Sequence, residues 1–375
     1  MNTKTYDYLR QLFADYYEHA NVDTVPTPAM REFGLIPWNR GERTIMNRHK
    51  SITEYGTVNN MLREEAPRHA YHSSAEYLKP GAQTTAQKEE QRVDLVFDID
   101  GDHFEGHSSM SYVEMLERSK QELIRLCDML QSDFGFSVDD MDIVFSGGRG
   151  YHVHVRDTDA QQLDSEARSE IISYITGSGN AESMSFTAVD SNTGEILEII
   201  SPDGGWGKYI HQYLDMMDYT KDELEKIEGI GSVGAEWLVD NRESVRNGQV
   251  NSKYAKKLIA NVYENAKETF TVDVDEPVTT DIHRLIRIPK SVHGGTGMCV
   301  QPIPFDDIES FHPTEDAVMP ILSDTIPVTI THPGIYEFGG EKYDLEARDE
   351  SLPGGIAVYL MASGGAEYNG DHIFM

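Results

Sequence analysis

The sequence predicts an α+β protein in which two strand-rich regions flank a long helical segment. In residues 93–155 and 270–305, apolar residues are interleaved with polar ones, which is typical of half-buried strands. Residues 158–268 instead carry many charged residues in a mainly helical pattern. We therefore predict a core formed by residues 1–157 and 269–375, with residues 158–268 inserted as a helical subdomain.

The composition is strongly acidic. The 375 residues include 64 Asp and Glu against 32 Lys and Arg, which gives a net charge of −32. The acids are spread along the chain, as expected of a surface adapted to very high salt, where at about 1 M the screening length is roughly 3 Å. Net charge under such conditions excludes no partner, nucleic acid included. Because the sequence shows neither a membrane-spanning apolar run nor a signal-peptide pattern, we expect a cytoplasmic protein without membrane contact.

The first predicted element is a helix within residues 1–30, whose apolar positions follow a helical period until Pro26 and Pro28. Residues 30–52 are expected to form a strand, a turn and a strand, whereas residues 56–90 give weak signals. Several aromatic residues are expected to be core or subunit contacts and not base-stacking platforms. They are Tyr8, Tyr16, Tyr17, Trp206 and Tyr209.

The stretch VDLVFDIDGDH (93–103) reads as a buried strand that places Asp98 and Asp100 on one face. Ser111 and Glu114 then have the spacing of a capping box, which predicts the start of a helix. Residues 141–157 read as strand, glycine turn and strand. From residue 269 strands are expected to return in FTVDVDEP, HRLIRIPKSVHG and GMCVQPIP.

Asp98 and Asp100 pose a physical problem, because neighbouring carboxylates repel each other and are costly to bury unpaired. One solution is structural, with one acid capping the DGDH turn and the other paired with a base. The other solution is a shared divalent cation, since Mg²⁺ prefers carboxylate oxygens. Phosphoryl-transfer enzymes often use two metals about 3.5–4 Å apart, and they usually require a third carboxylate.

The stretch SGGRGYHVHV (146–155) suits an anion. Its glycines allow backbone N–H groups to turn toward a ligand, while Ser146 adds a hydroxyl and Arg149 adds a fork that matches phosphate oxygens. His152 and His154 share one strand face beyond the turn. The stretch is not a Walker A loop, because the Gly-Lys-Ser/Thr ending is absent. A tight hairpin with surface histidines is the alternative interpretation.

The stretch DVDEPVTTDIHRLIRIPKSVHGGTG (273–297) adds further acids and cations. Its acids are Asp273, Asp275 and Asp281. Arg284, Arg287 and His293, followed by glycines, suit a polyphosphate with a metal-binding acid nearby. The alternative is an ordinary strand and glycine turn with solvated charges.

Together and in this order, these motifs resemble the catalytic small subunit of the archaeal and eukaryotic type of DNA primase. The pattern is D-I-D, then S-G-G-R-G-x-H-x-H-V, then D-x-P-V-T followed by H-R-L-I-R-x-P-x-S-V-H-G-x-T-G. REFG (31–34), NRH (47–49) and LPGGIAVYLMASGGAEY (352–368) also look like that family, so the resemblance spans nearly the whole chain. The acidic composition is typical of a halophilic archaeal version. The implied fold is a two-layer catalytic core with an RRM-like sheet and the inserted helical subdomain.

The resemblance also implies roles for individual residues. The implied catalytic and metal-binding residues, for Mg²⁺ or Mn²⁺, are Asp98, Asp100 and Asp275, with Asp281 as the alternative third ligand. The residues implied to hold the triphosphate of the incoming nucleotide are Ser146, Arg149, His152, Arg287 and His293. The implied reaction is template-directed nucleotidyl transfer, in which a 3′-hydroxyl attacks the α-phosphorus and pyrophosphate leaves. The implied partners are single-stranded DNA, nucleoside triphosphates and a large primase subunit in a heterodimer.

This sequence departs from the family pattern in two places. Family members commonly carry a Cys/His zinc knuckle after the D-x-D strand, whereas here His103 and His107 have no cysteine nearby before Cys127 in mid-helix. We therefore expect no structural zinc. The usual H-G-K-T-G reads H-G-G-T-G with Gly295 in place of the phosphate-directed lysine, and Lys290 is a candidate to compensate.

The predicted insertion contains one further motif. LEKIEGIGSVGAEWLVDN (224–241) resembles a helix-hairpin-helix, whose Gly-x-Gly turn offers backbone N–H groups to a DNA phosphate. The turn itself has no lysine, and an ordinary helix–turn–helix packing unit is the alternative.

Two rival functions stay open at this point. An enzyme of the same superfamily that extends or repairs DNA ends without de novo priming is expected to carry a fused ligase or nuclease domain, which we do not expect here. A non-catalytic nucleic-acid-binding subunit needs no carboxylate cluster. The sequence does not distinguish ribonucleotide from deoxyribonucleotide preference, primer length or start-site choice.

Overall fold

The computed structural model describes residues 1–22, 24–39, 45–178, 185–189, 196–322 and 325–371. The protein mixes helices and strands throughout, so the predicted α+β class is confirmed. The chain divides into two compact units. The first contains residues 1–124, 136–169 and 274–375, and the second contains residues 125–135 and 170–273.

The elements follow the chain in this order. The helices are α1 (Thr3–His19), α2 (Val58–Glu65), α3 (Thr85–Lys88), α4 (Tyr112–Ser132), α5 (Ser165–Ile175), α6 (Gly205–Met216), α7 (Lys221–Glu225), α8 (Gly231–Asp240), α9 (Arg242–Arg246), α10 (Lys253–Phe270), α11 (Glu276–Thr280), α12 (Pro313–Asp316) and α13 (Gly354–Ser363). The strands are β1 (Phe33–Ile36), β2 (Asn47–Lys50), β3 (His69–Ser73), β4 (Ala75–Tyr77), β5 (Glu90–Val93), β6 (Leu95–Asp100), β7 (Met141–Phe145), β8 (Gly150–Val155), β9 (Ser185–Val189), β10 (Ile196–Ile200), β11 (Leu285–Arg287), β12 (Gln301–Ile303), β13 (Thr325–Ile330), β14 (Gly334–Phe338), β15 (Glu341–Leu345), β16 (Asp349–Pro353) and β17 (Ala366–Tyr368).

An antiparallel sheet in the order β12-β7-β8-β6 carries the predicted carboxylate strand. Its register places Asp98 opposite His152 and Asp100 opposite Gly150. Gly150 is required there, because a Cβ at this position would lie 1.7 Å from the carbonyl oxygen of Ile99. The absence of a side chain therefore lets β8 approach the end of β6 closely enough to keep this register.

A second antiparallel sheet of the first unit has the order β11-β3-β1-β2. Its register pairs Ile286 with His72 and Arg287 with Tyr71. Residues 40–44, where the turn between β1 and β2 was predicted, lie outside the described residues. The strands predicted on either side of that turn are confirmed.

Two residues of the REFG segment (31–34), Arg31 and Glu32, form buried ion pairs. Arg31 is fully buried, and its Nη2 lies 3.0 Å from Oδ2 of Asp94, which also contacts Nε of Arg156 at 3.2 Å. The neighbouring Glu32 accepts a 3.1 Å hydrogen bond from Nε of Arg48. Removing one partner of a buried pair typically costs about 3–5 kcal/mol, so this segment has a structural role beside the site.

The predicted capping box starts α4. The backbone N–H of Ser111 donates to Oε2 of Glu114 at 2.7 Å, and the N–H of Glu114 donates to Oγ of Ser111 at 3.2 Å. The capping box thereby satisfies these two N–H groups, as the sequence predicted.

The second unit has an aromatic core. Trp206 donates its indole N–H to the carbonyl of Tyr174 at 2.8 Å and packs edge-on against Tyr263 with ring centroids 5.5 Å apart. Tyr209 donates to Asp133 at 2.7 Å. The predicted core aromatics are buried in both units. They are Tyr8, Tyr16, Tyr17, Trp206 and Tyr209.

Four local predictions differ from the structure. The N-terminal helix ends at His19, well before the prolines, and the weakly patterned residues 56–90 contain α2, β3, β4 and α3. The mainly helical stretch also contains the antiparallel hairpin of β9 and β10. FTVDVDEP was wrongly predicted as a strand: residues 271–275 are irregular and α11 then begins with Pro277 in its first turn, a position that proline favours. Among the described residues, no helix is long and apolar enough to cross a membrane.

Candidate active site

A cavity of about 670 Å³ in the first unit gathers most of the predicted site residues. Its wall includes Asp98, Asp100, Ser146, Arg149, His152, Arg287 and His293. These residues come from β6, β8 and β11 and from the two glycine turns, so strands of both sheets contribute to one site. Of the predicted site residues, Asp275 does not line this cavity.

Asp98 has an ionic environment that favours its charged form. Burial alone would raise the pKa of Asp98, but the adjacent His152 lowers it, with smaller contributions from Arg284 and His103, and the net pKa lies below the ordinary value. Nε2 of His152 lies 3.3 Å from Oδ1 of Asp98. Asp100 accepts a 3.2 Å hydrogen bond from the backbone N–H of Asp102, which is the turn-capping contact considered from the sequence.

Asp275 is held against Asp98 by the backbone. Its N–H donates to the carbonyl of Asp98 at 2.9 Å, and one helical turn later the hydroxyl of Thr279 donates to the carbonyl of Val96 at 2.8 Å. Burial raises the pKa of the Asp275 carboxyl, and the charge of Asp98 raises it further. Asp275 is thus close enough to Asp98 to be repelled by it.

Asp281 has a different environment. Its Oδ1 accepts a 3.0 Å hydrogen bond from the backbone N–H of His283, and it lines a separate surface pocket together with Ser165 and Glu276. Neither Asp281 nor Asp275 lines the cavity that contains Asp98 and Asp100. What distinguishes Asp275 is its backbone hydrogen bond to Asp98 and the repulsion between the two carboxylates.

The carboxylates supply hard oxygen donors, which suit Mg²⁺ or Mn²⁺. The electrostatic coupling of Asp275 to Asp98 and Asp100 fits a group that a cation would stabilise. Within the described ranges, however, no set of three or more His, Cys, Asp or Glu side chains is already positioned to hold a metal ion. Cys127 is buried and free, and the absence of structural zinc stays a prediction.

The first glycine turn is built around Ser146. Its N–H donates to the carbonyl of Gly150 at 2.9 Å, and its Oγ accepts from the N–H of Gly148 at 3.2 Å. Gly147 has a φ of +75°, and a Cβ there would lie 2.7 Å from Cβ of His293. The guanidinium of Arg149 forms an ion pair with Asp102 and is half exposed. Both glycine turns therefore meet at the same edge of the cavity.

Arg287 is held by two neighbours. Its Nη1 donates to Nδ1 of His69 at 2.9 Å, and its guanidinium lies 5.0 Å from the ring centroid of Tyr71. Burial, together with the charges of Arg287 and Arg68, lowers the pKa of His69 to about 3. An imidazole that accepts a hydrogen bond at Nδ1 is neutral, so Arg287 keeps its positive charge beside an uncharged partner.

His293 is also a neutral imidazole in a cationic environment. Burial lowers its pKa well below the ordinary value, with further lowering by Arg287 and His69. Its Nδ1 lies 3.1 Å from Oγ1 of Thr296, whose hydroxyl donates to the carbonyl of Gly147 at 2.5 Å. Thr296 thus ties the second glycine turn to the first.

Comparison with known proteins agrees with this geometry. The family model described as DNA primase small subunit matches residues 97–305. This chain belongs to the DNA primase small subunit family. A curated relative from Halorubrum lacusprofundi, named DNA primase small subunit PriS, is 38% identical over 98% of each chain. Relatives of the same name from Haloarcula marismortui and Methanocella arvoryzae are 37% and 35% identical, over 98% of this chain in both cases and over 99% and 100% of theirs.

Among the residues that the structure describes, no lysine lines the cavity. The backbone N–H of Gly295 donates to Nδ1 of His293 at 3.2 Å. Lys290 has a left-handed backbone with a φ of +64°, and its N–H donates to the carbonyl of Val300 at 2.5 Å. Its side chain does not line the cavity, so its proposed compensation for the lysine has no geometric support here.

The site also contains residues that the sequence analysis missed. Tyr71, Tyr112, Thr296 and Tyr359 line the cavity, and the hydroxyl of Tyr112 donates to the carbonyl of Gly148 at 2.5 Å. Thr296 had a signal, since it stands in the H-G-x-T-G motif. Tyr71 and Tyr359 lie on β3 and α13, which carry no local motif for phosphate binding.

The helix-hairpin-helix segment forms α7, a turn and α8. Gly229 and Gly231 have φ values of +78° and +58°, and Nζ of Lys257 donates to the carbonyl of Gly229 at 2.9 Å. A lysine from α10 therefore lies at the turn, although none occurs within it. DNA contact by this segment stays a prediction.

Proposed function

We propose that this chain is the catalytic subunit of a DNA primase, which makes short primers on single-stranded DNA by nucleotidyl transfer. Family membership supports the activity. The observation that carries the assignment of the site is one cavity lined by both carboxylates and cations. Asp98 and Asp100 lie on β6, whereas Arg149 lies in the turn before β8 and Arg287 lies at the end of β11 in the second sheet.

Asp98, Asp100 and Asp275 are the proposed catalytic residues and the proposed ligands of Mg²⁺ or Mn²⁺. A bound divalent cation supplies charge that stabilises the oxyanions of the transferring phosphoryl group. The protein's own contribution is to favour the ionised form of Asp98 and to hold Asp275 beside it. His152 contributes the first effect, and the backbone hydrogen bond between Asp275 and Asp98 contributes the second.

The proposed nucleotide-binding residues surround the position of the triphosphate. Ser146, Arg149 and His152 come from the first glycine turn and β8, and Arg287 and His293 come from β11 and the second glycine turn. Arg287 offers a planar fork that is already oriented by His69 and Tyr71, so little side-chain freedom is lost when phosphate oxygens bind. Such preorganised donors stabilise charge that develops on the leaving pyrophosphate.

We also propose the finer features of the fold. The antiparallel order β12-β7-β8-β6, with α4 following β6, supports an RRM-like sheet in the catalytic core. The second compact unit overlaps most of residues 158–268, which supports an inserted helical subdomain. A heterodimer with a large primase subunit and a cytoplasmic location are inferred from family membership alone.

The test is primer synthesis on single-stranded DNA in multimolar KCl with Mg²⁺ or Mn²⁺. The wild type is compared with the double variant Asp98→Ala, Asp100→Ala, which we expect to make no product. The matched control is Asp344→Ala, Glu346→Ala, which removes two exposed acids that are also two positions apart. We expect the control to retain wild-type activity.

The two rival functions give different results in this experiment. Extension of a supplied primer without any de novo product, both alone and with a large subunit present, favours the repair-type polymerase. DNA binding without catalysis by either protein favours a non-catalytic subunit.

A further inference from the structure

A cavity of about 390 Å³ in the first unit lies behind strand β8, away from the candidate active site. Successive residues of a strand point to opposite faces, so His152 lines the active-site cavity and Tyr151 lines this one. We call it the rear pocket. Its other walls come from α4, the start of α12 and the β14–β15 hairpin. The wall includes Glu117, Lys120, Tyr151, Glu315, Phe338 and Glu341.

The hydroxyl of Tyr151 is a buried polar group in the wall of the rear pocket. The residue is only 1% exposed, and its hydroxyl has no hydrogen-bond partner among the residues that the structure describes. Burial raises the pKa of this hydroxyl, and the charge of Glu117 raises it further, so a carboxylate lies near it. A buried hydroxyl without a partner costs free energy, which a ligand with a hydrogen-bonding group would recover.

The lysines of the rear pocket already have partners. Nζ of Lys120 donates to the carbonyl of Glu309 at 3.2 Å and lies 3.2 Å from Oε2 of Glu117. Nζ of Lys342 lies 3.1 Å from Oε1 of Glu337. An anionic ligand would have to displace these contacts, so the pocket does not favour an anion.

Two carboxylates of the rear pocket are not paired with a base. In the described part of the chain no cation forms an ion pair with Glu315 or Glu341, and both residues are exposed. The wall carries four glutamates against two lysines, so it favours a cation. Among the described residues, no three His, Cys, Asp or Glu side chains are positioned to hold a metal ion. The favoured cation is therefore an organic one.

We propose that the rear pocket binds a guanidinium group. A guanidinium carries five N–H donors for the glutamates and the Tyr151 oxygen, and its flat face stacks on an aromatic ring such as that of Phe338. It is also more weakly hydrated than an ammonium, so it loses less on entering a partly buried pocket. The group belongs either to a free small molecule or to an arginine of another protein. This inference does not depend on the proposed primase activity.

The wall of the rear pocket suits this ligand in high salt. At about 1 M salt, charges act over only roughly 3 Å, so exposed glutamates alone attract a cation poorly. Direct hydrogen bonds to the carboxylates and contact with an aromatic ring do not depend on long-range charge. A flat cation with several donors therefore retains affinity where a simple ion does not.

The first measurement is isothermal titration calorimetry of the wild type in multimolar KCl. The ligands are agmatine, the capped tripeptide acetyl-Ala-Arg-Ala-amide and the same tripeptide with lysine in place of arginine. Binding of agmatine and the arginine peptide alike identifies a free guanidinium as sufficient, whereas binding of the arginine peptide alone identifies a protein segment as the source. We expect the lysine peptide to bind about 10-fold more weakly or less. No binding of either guanidinium ligand, or equal binding of the lysine peptide, would overturn the inference.

The second measurement repeats the titration with variants of the pocket. We expect Tyr151→Phe, which keeps the ring that packs against Phe145, to weaken binding about 5-fold. The double variant Glu315→Gln, Glu341→Gln is expected to weaken it about 10-fold or more. The matched control is Asp344→Asn, Glu346→Gln, which removes two exposed acids of the same region outside the pocket and is expected to bind normally.

Urea denaturation separates this role from a structural one. Because the Tyr151 hydroxyl has no partner among the described residues, we expect Tyr151→Phe to have the same midpoint as the wild type or a higher one. A lower midpoint with unchanged affinity would assign the hydroxyl to the fold and overturn its role in binding. Wild-type affinity in both pocket variants would also contradict the proposal.

Discussion

Two aspartates of the candidate site, Asp98 and Asp275, have pKa values shifted in opposite directions. Burial raises both, but at Asp98 the combined effect of His152, Arg284 and His103 outweighs burial, whereas at Asp275 the charge of Asp98 adds to it. Asp98 is thus ionised in the folded protein at neutral pH. Repulsion by its charge disfavours the ionised form of Asp275. A residue whose charge destabilises the fold is best explained by function.

Replacing Asp275 therefore has opposite effects on activity and stability. We expect Asp275→Asn to lower the rate of primer synthesis about 100-fold or more, because a ligand charge beside the reacting phosphate is lost. The free energy of unfolding is expected to stay the same or rise, since a repelled carboxylate is removed. Initial rates and urea denaturation measure the two effects.

Asp281→Asn is the matched variant, because Asp281 is the alternative third carboxylate and lies at a separate pocket. We expect it to keep near-wild-type rates. Loss of activity in Asp281→Asn with normal rates in Asp275→Asn would reverse the assignment.

At the scale of elements, the approach of β8 to β6 depends on a missing side chain. We expect Gly150→Ala to destabilise the protein by more than about 2 kcal/mol, because its Cβ would lie 1.7 Å from the carbonyl oxygen of Ile99. The midpoint of urea denaturation measures this effect. Gly148→Ala is the control, since its nearest neighbour would be 3.4 Å away in ordinary contact. Equal midpoints for the two variants would contradict the argument.

The elements that were predicted correctly have local signals. The capping box of Ser111 and Glu114 is contained within four residues, and the shared face of Asp98 and Asp100 follows from strand geometry alone. Helix α11 was missed although Pro277 at its first turn is such a signal, because the alternation in FTVDVDEP outweighed it in our interpretation.

The unpredicted part of the site depends on pairing between distant segments. Tyr71 contacts Arg287 only because β3 pairs with β11 in one particular register, and no local pattern specifies that register. The hairpin of β9 and β10 was missed for a related reason, since each strand is short and lies within a charged, mainly helical stretch. The sequence motifs therefore predicted candidate metal- and phosphate-binding side chains, but not the residues from distant segments that contact them.

At the scale of the whole molecule, buried histidines make stability depend on pH. Burial lowers the pKa of His154 to about 4, and it lowers that of His72 well below the ordinary value. Below about pH 6.5 the unfolded chain binds protons that these folded imidazoles do not bind, so the free energy of unfolding falls as pH falls. The slope is at most about 1.4 kcal/mol per pH unit for each group.

We therefore expect the melting temperature to fall between pH 6.5 and 4, and His154→Phe to show a shallower fall. Scanning calorimetry at fixed KCl concentration measures both slopes. Comparison at pH 8, where the imidazole is neutral in both states, gives the packing effect of the substitution separately. Parallel pH profiles for the two proteins would show that His154 does not titrate on unfolding in this range.

The hydrogen bond between the backbone of Asp275 and Asp98 has a consequence for biosynthesis. Asp98 leaves the ribosome well before Asp275, by about 10–35 s at 5–20 residues per second. Until then the nascent chain lacks the third carboxylate, and Val96 lacks its cover by Val278. An unfinished chain therefore lacks part of the proposed catalytic centre, and this part of its core stays incomplete until translation passes α11.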